Sequence, residues 1–585
     1  MGASTRWHRA LDQGLGEFFP TSFREFARKW IPLSVLIGLA VGLATVLFYY
    51  ALNLVTGAFY PSPTLVPRYL IFLLPTVGGL AVGFIIPFFA KEAAGQGMDE
   101  VIRAVHFESG RIRSVVPPVK LIVSALTIGT GGSAGPEGPV GEIGAGTASI
   151  LGRQMGLRRS DLRTFVLAGA AAGFSAIFKA PLGGALFALE TPYKNDLEHG
   201  AAIPALIAST VSYLVFASTT PNGFIPIFAN LTAQPRFDAA HILLYMALGL
   251  LSGLVAVVFV RGFFWISDGF SKLKLPFVAK TTMGGLLCGL LGVVFPSILG
   301  LGYAWDQTLV TANLAAVPLL WTSVTGLEFL FLALAAILFV KIVATSFTIG
   351  SGGSGGVLTP SLFVGATLGT LLGLVLTAFG FPYSPAVLVL VGMGAVLAAA
   401  TKTPISSAVM LTEMVGGFSV LIPLILATVI SYSVAGEHTL YRAQITRRAA
   451  PIDLSLLAGK RVQDVMVGSV VSFRPETTAA ETQARVEEDS HFSYPIVDAQ
   501  GRVLGLAYRR DLRNLAARSP TAPISQVMQS HFEAIGGDAP AHEVFEAMNG
   551  LQVTRMVVLG PGRKLLGIIT RLDILRAVDR AEEGL

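Results

Sequence analysis

Apolar residues dominate this chain from about residue 31 to residue 436, in long runs separated by short polar or glycine- and proline-containing breaks. Among these runs are 31–56, 67–90, 163–190, 201–218, 240–265, 281–303, 328–347 and 361–379. About 20 consecutive apolar residues span a bilayer as a helix, yet several runs are shorter than that or interrupted. The pattern predicts an all-α polytopic membrane region with broken helices, in which spans cannot simply be counted. From about residue 461 charge density rises and apolar residues alternate in short runs, which predicts a soluble α/β tail. Residues 1–30 place Leu15, Phe18, Phe19, Phe23 and Phe26 among Arg24, Arg28 and Lys29, the pattern of an amphipathic segment at a membrane surface. Its charges and the lack of a cleavage site argue against a signal peptide.

One stretch is written twice. Residues 127–152 read TIGTGGSAGPEGPVGEIGAGTASILG and residues 348–373 read TIGSGGSGGVLTPSLFVGATLGTLLG, aligned without a gap at a spacing of 221 residues. The similarity continues: Gly169, Lys179, Pro181 and Glu190 recur as Gly392, Lys402, Pro404 and Glu413 at a spacing of 223. This predicts an internal repeat with halves at about 31–220 and 240–436. An inverted arrangement fits best, because it brings the N-termini of the broken helices to one midplane site.

Each copy is a glycine-rich turn followed by a helix-like run. Unpaired amides at a helix start carry roughly half a positive charge, and glycine lets an ion approach the backbone. Such a site suits a chloride-sized anion. Tight helix packing alone accounts poorly for matched GGS turns followed by proline in both halves. Only the first copy carries an acid, Glu137. An ionisable group at membrane depth costs about 3 kcal/mol on insertion scales and is a functional hypothesis by default. When charged it would occupy the anion's place, and when protonated it would leave, which makes it a gate and a proton carrier.

Composition agrees: 53% of the 585 residues are hydrophobic and 13% charged, against about 25% charged in soluble domains. The net charge of +6 is scattered over loop positions, which suits membrane topology better than a nucleic-acid partner. Arg24, Arg28 and Lys29 before the first span, and Arg442, Arg447 and Arg448 after the last, predict that both termini are cytoplasmic. Cys288 stands alone, so no disulfide framework is expected. No acidic cage or His/Cys spacing suggests a metal.

Two other classes fit the sequence less well. Gly131-Gly132-Ser133-Ala134-Gly135 satisfies the Gly-x-Ser-x-Gly pattern of intramembrane serine proteases, but a nucleophile needs a base, and no histidine lies clearly mid-span. A cation transporter with the same kind of tail would call for a midplane array of acids, and none is evident. An enzyme is not expected.

The motifs GSAGPEGP (132–139), GGVLTP (355–360) and FKAPLGGALFALE (178–190), with a late Tyr441, resemble the CLC chloride channels and chloride/proton antiporters over about residues 31–445. The resemblance implies two inverted halves per subunit, a homodimer, and a separate pore for chloride in each subunit. It makes Glu137 the external gating glutamate, and assigns the central anion to the amides of Val357 and Leu358 and the hydroxyl of Tyr441. The family's first anion motif is Gly-Ser-Gly-Ile-Pro, and here Gly95-Gln96-Gly97-Met98-Asp99 stands in its place. Gln96 is expected at the anion with its side-chain N–H as the substitute donor. Pro136 replaces the arginine before the gate, and Leu358 replaces a phenylalanine. Proton-coupled members carry an inner glutamate immediately after the position of Glu190. Here Thr191 stands there, which leaves both channel and antiporter open around Glu190 and Thr191.

The tail repeats too. RVQDVM (461–466) returns as PISQVM (523–528), and Gly505 and Asp511 return as Gly567 and Asp573, at a spacing of 62 residues. After a linker at 446–460, residues 461–585 resemble a CBS pair, with modules at about 461–518 and 523–580, regulatory and cytoplasmic in the family. No cofactor is required, but such modules bind adenine nucleotides through a Thr and an Asp. Only the second copy keeps both, as Thr570 and Asp573; the first has Tyr508 with Asp511. A purely dimerising role for the pair is the competing reading.

Overall fold

The computed structural model describes residues 21–59, 68–228, 234–312, 327–447, 457, 459–488, 491–551 and 553–583. Leu15, Phe18, Phe19 and most of the expected linker at 446–460 lie outside the described residues. The chain divides into two compact units, Met1–Arg448 and Ala449–Leu585.

The first unit is helical. Its first described helix, α1 (Thr21–Phe59), passes through Pro32, so residues 21–30 begin the first span's helix instead of forming a separate element. Then follow α2 (Leu73–Phe89), α3 (Met98–His106), α4 (Val116–Gly129), α5 (Glu137–Gln154), α6 (Arg159–Phe178), α7 (Pro181–Glu190) and α8 (Ala202–Thr219). The second half runs α9 (Ala239–Lys272), α10 (Phe277–Val294), α11 (Tyr303–Val310), α12 (Leu327–Gly350), α13 (Leu358–Ala378), α14 (Pro385–Thr401), α15 (Pro404–Val415) and α16 (Leu421–Val434). Among the described residues seven helices are long and apolar enough to cross a membrane, while α3, α7, α11 and α15 are too short. Proline opens α7, α14 and α15, where its missing N–H costs no helical bond.

The two glycine turns meet head to head. Gly135 N–H donates to Gly356 O (2.9 Å) and Gly356 N–H donates to Gly135 O (2.6 Å). Equivalent threonines cross over as well: Ser133 N–H donates to Thr348 Oγ1 (3.1 Å), and Ser354 N–H to Thr127 Oγ1 (3.2 Å). This reciprocity is what an inverted repeat requires. Gly131 and Gly352 take φ of 102° and 108° at the same point of each turn, a conformation that a side chain would strain.

The same symmetry governs buried charge. Lys120 Nζ donates to Ala93 O and Gly95 O (both 3.1 Å), and Lys341 Nζ donates to Ile298 O (2.9 Å) and Gly300 O (3.3 Å). Each lysine thereby fixes the loop that leads into a short helix, α3 or α11. Glu190 accepts the amides of Ile405 (3.2 Å) and Ser406 (2.8 Å) at the start of α15, and Glu413 accepts those of Leu182 (3.1 Å) and Gly183 (2.6 Å) at the start of α7. Each carboxylate thus caps a helix of the opposite half, where the dipole favours negative charge.

The second unit pairs β1 (Ser493–Val497) with β2 (Val503–Tyr508), and β3 (Ala534–Gly536) in parallel with β4 (Arg555–Leu559), itself antiparallel to β5 (Leu565–Thr570). The register slips at Ile496/Val497 and again at Val558/Leu559, the same place in each copy. Helices α17 (Val462–Val465), α18 (Ala479–Glu488), α19 (Arg509–Arg518), α20 (Ala541–Gly550) and α21 (Arg571–Glu583) complete the modules. Thr478 and Glu481 form a capping box before α18, and the Thr478 backbone N–H holds the Glu481 carboxyl below its usual range.

Candidate functional site

Glu137 is the first residue of α5 and fully buried, yet its carboxylate leaves its own helix for the start of α13. Oε1 accepts the amides of Leu358 (2.6 Å) and Thr359 (3.2 Å), and Oε2 accepts the Thr359 hydroxyl (2.9 Å). Three donors on a helix N-terminus make an anion site, and a side-chain anion fills it. Gly135 and Gly356 permit this, because a Cβ on either would overlap the carboxylate.

Leu358 is therefore brought to Glu137, and Val357 precedes it as the N-cap residue of α13. Tyr441 is buried and lies within electrostatic reach of both Glu137 and Asp99. Gln96 is buried nearby, and its amide has other partners. Its Nε2 donates to Asp99 Oδ2 (2.6 Å) and to Leu440 O (2.7 Å), which uses both amide protons. The side chain holds no spare donor for an anion, and its Oε1 is a buried acceptor without a partner among the described residues. Asp99 Oδ1 accepts Ala443 N–H (3.0 Å), so Gln96 and Asp99 together grip the backbone on both sides of Tyr441. Arg442 anchors the same segment, bidentate on Asp268 (3.0 and 2.8 Å) and over the Phe264 ring.

Glu190 and Thr191 have other partners. Glu190 spends its carboxylate on α15, with Ser406 Oγ donating at 2.6 Å in addition to the two amides. Thr191 donates its hydroxyl to Phe187 O, and its own carbonyl accepts Gln444 Nε2 at 2.8 Å. In the tail, Thr570 and Asp573 satisfy each other at the start of α21: Asp573 Oδ2 accepts Thr570 Oγ1 (2.6 Å) and Thr570 N–H (2.9 Å). They do not line the tail's cleft of about 690 Å³, which is bounded by Phe492, Tyr508, Asp511, His531, Thr554 and Arg555 among others. These contacts make a capping box at the two residues expected to hold a ligand.

Four contributors were missed. Thr359 sits inside the GGVLTP motif, but nothing local marks its hydroxyl as a partner of Glu137. Glu142 forms a fully buried ion pair with Lys120 (3.0 Å), five residues after Glu137 on α5. Lys120 and Lys341 stand at the spacing of the repeat, a signal that was available. Among the described residues no group of His, Cys, Asp and Glu is placed to hold a metal.

Residues 78–436 match the family model of the voltage gated chloride channel, and residues 462–518 and 524–580 each match the CBS domain. The chain is 30% identical to a putative chloride channel protein, ClcB-like, of Ralstonia nicotianae over 436 residues, covering 71% of this chain and 96% of that one. It is 29% identical to the voltage-gated ClC-type chloride channel ClcB of Escherichia coli over 381 residues, covering 64% and 86%. In fold it is similar to a CLC-type fluoride/proton antiporter (TM-score 0.62, 24% identity, 74% of this chain and 100% of that one). It is also similar to a eukaryotic CLC transporter (TM-score 0.58, 19% identity, 94% and 98%).

Proposed function

The chain belongs to the voltage gated chloride channel (CLC) family, and on that premise we propose that it moves chloride through a pathway gated by Glu137. It is a multi-pass integral membrane protein of a family of channels and Cl⁻/H⁺ antiporters, not an enzyme, and it carries two CBS domains. The observation that supports the gate is the Glu137 carboxylate on the Leu358 and Thr359 amides. A carboxylate and a chloride compete for the same donors, so anion entry requires Glu137 to leave, and protonation removes its charge. Val357, Leu358 and Tyr441 are the proposed anion ligands, with Gln96 positioning the Tyr441 segment instead of donating.

Proton exchange is the reading we favour over a simple channel, because the Thr359 hydroxyl connects Glu137 to the Tyr303 hydroxyl (3.3 Å). Thr191, which cannot titrate, speaks for the channel. The reversal potential of the purified protein in liposomes, under opposed chloride and pH gradients, separates the two. A potential at the chloride equilibrium value makes it a channel, a displaced one makes it an exchanger, and no chloride dependence removes the proposal.

We also propose a homodimer with both termini cytoplasmic, supported by the family resemblance and the flanking arginines. For the CBS pair we propose regulation by an adenine nucleotide held in the cleft. The supports there are Asp511 as an acceptor for ribose hydroxyls, Arg509, Arg510 and Arg555 for phosphates, and the Phe492 and Tyr508 rings for the base.

A further inference from the structure

Glu137 is one end of a buried hydrogen-bonded chain. Thr359 Oγ1 donates to Glu137 Oε2 at 2.9 Å, and the Tyr303 hydroxyl lies 3.3 Å from the same Oγ1. A threonine hydroxyl has one proton, so with that proton on Glu137 the Tyr303 hydroxyl must be the donor to Thr359. Tyr303 opens α11, and Asp306 stands one turn further on the same helix, where residues three apart share a face.

Asp306 is fully buried, and neither carboxylate oxygen has a hydrogen-bond partner among the described residues. The contrast with the other half is informative. There the repeat lysine, Lys120, pairs directly with Glu142 at 3.0 Å. Here Lys341 turns its ammonium to the carbonyls of Ile298 and Gly300 and to the Phe363 ring (4.9 Å), and it reaches Asp306 and Glu137 only through the longer-range field. Among the described residues, Tyr441 and Cys288 are further titratable groups near this cluster, coupled to Glu137 and to Lys341 respectively. A buried carboxylate without donors calls for a proton or an internal water.

We propose that Asp306, Tyr303 and Thr359 form a proton relay that loads and unloads Glu137. A proton on Asp306 passes through water to the Tyr303 oxygen as Tyr303 gives its own proton to Thr359 Oγ1 and Thr359 gives its proton to Glu137 Oε2. Asp306 ends as the carboxylate and Glu137 as the acid; both hydroxyls are restored, and no oxidant or reductant is involved. The neutral Glu137 then releases the α13 amides to the anion. This deepens the gating role proposed for Glu137 and rests on it.

The test is simultaneous recording of chloride efflux and proton uptake by full-length protein in liposomes, for wild type, Glu137→Gln, Asp306→Asn, Asp306→Glu and Tyr303→Phe. Asp306→Asn and Tyr303→Phe are expected to lower the ratio of protons to chloride by about ten-fold or more, the scale of a lost proton-transfer group. Asp306→Glu is expected to restore it, which a packing role for Asp306 would not do. Thermal unfolding of each variant in detergent shows that it is folded, and Tyr303→Phe keeps the shape of the site if Asp306→Asn does not fold. An unchanged ratio in folded Asp306→Asn and Tyr303→Phe overturns the relay, as does wild-type chloride flux without coupled protons. If Glu137→Gln loses coupling while the others keep it, only the relay fails. If Glu137→Gln keeps coupling, the gating role fails first.

Discussion

Gln96 Nε2 lies 2.6 Å from Asp99 Oδ2, and the two side chains between them hold Leu440 O and Ala443 N–H on either side of Tyr441. The family's serine at this position would present a hydroxyl to the ion. Here the same backbone position instead carries a clamp on the tyrosine that is proposed to touch it. Asp99 takes the place of the family's proline, so the two departures in the loop are coupled: without Asp99, the glutamine would lose the acceptor that directs its amide away from the pathway.

Asp99→Ala is therefore expected to free the Gln96 amide and loosen the Tyr441 segment, lowering discrimination between chloride and nitrate. Each buried partner left unsatisfied costs about 1–3 kcal/mol, so the segment should also be the first to gain hydrogen exchange. Bi-ionic reversal potentials in liposomes check this. Selectivity unchanged in Asp99→Ala and in Gln96→Ser alike would mean that the clamp does not govern the site.

Glu137→Gln is expected to abolish proton coupling and leave anion movement. The amide copies the neutral acid and cannot carry a proton; it also gives up the charge that competes with chloride for the Leu358 and Thr359 amides. Parallel chloride and pH electrodes would show chloride efflux with no proton signal. Coupling at the wild-type ratio would take Glu137 out of the mechanism.

For Glu190 a stability effect is expected, not a transport effect. Its carboxylate satisfies Ile405 N–H, Ser406 N–H and Ser406 Oγ at the start of α15. Glu190→Ala strips all three, at about 1–3 kcal/mol for an unsatisfied buried group, whereas Glu190→Gln keeps one acceptor. Glu413→Ala should behave alike at α7, because the two caps are symmetric. The unfolding temperature in detergent should fall for both alanine variants and less for Glu190→Gln. A folded Glu190→Gln with normal stability but a changed proton-to-chloride ratio would restore Glu190 to the proton path.

What could be read from the sequence follows from duplication. The glycine turns and the singularity of Glu137 were legible because a second copy, at Gly350–Pro360, showed which features recur and which acid does not. The handedness of the repeat was not, since similarity between two copies is the same for parallel and inverted halves. Lys120 and Lys341 obeyed the same spacing, and their burial was in principle legible too. The relations that decide chemistry were not: Gln96 to Leu440, Asp99 to Ala443 and Tyr303 to Thr359 join residues far apart in the chain. A single sequence marks a glutamine as able to donate, but not which acceptor takes the proton. Thr570 and Asp573 illustrate the reverse case, since a Thr-x-x-Asp pattern before a helix serves a nucleotide or a cap equally well.

That ambiguity sets the last prediction, on the tail. Asp573 is committed to Thr570 at the start of α21, while Asp511 borders the cleft with Tyr508 and Arg555. If an adenine nucleotide binds there, Asp511→Ala removes an acceptor for a ribose hydroxyl and Arg555→Ala a phosphate donor. Each should cost about 1–3 kcal/mol, roughly ten-fold or more in affinity. Asp573→Ala should leave affinity nearly intact and lower the stability of the tail, since losing an N-terminal capping partner costs about 0.5–2 kcal/mol. Calorimetry with ATP, ADP and AMP on the full chain in detergent, paired with thermal unfolding, separates these effects. Loss of binding in a folded Asp573→Ala with Asp511→Ala unaffected would return the site to the second module's Thr570 and Asp573. No heat with any of the three nucleotides would leave the CBS pair as a scaffold.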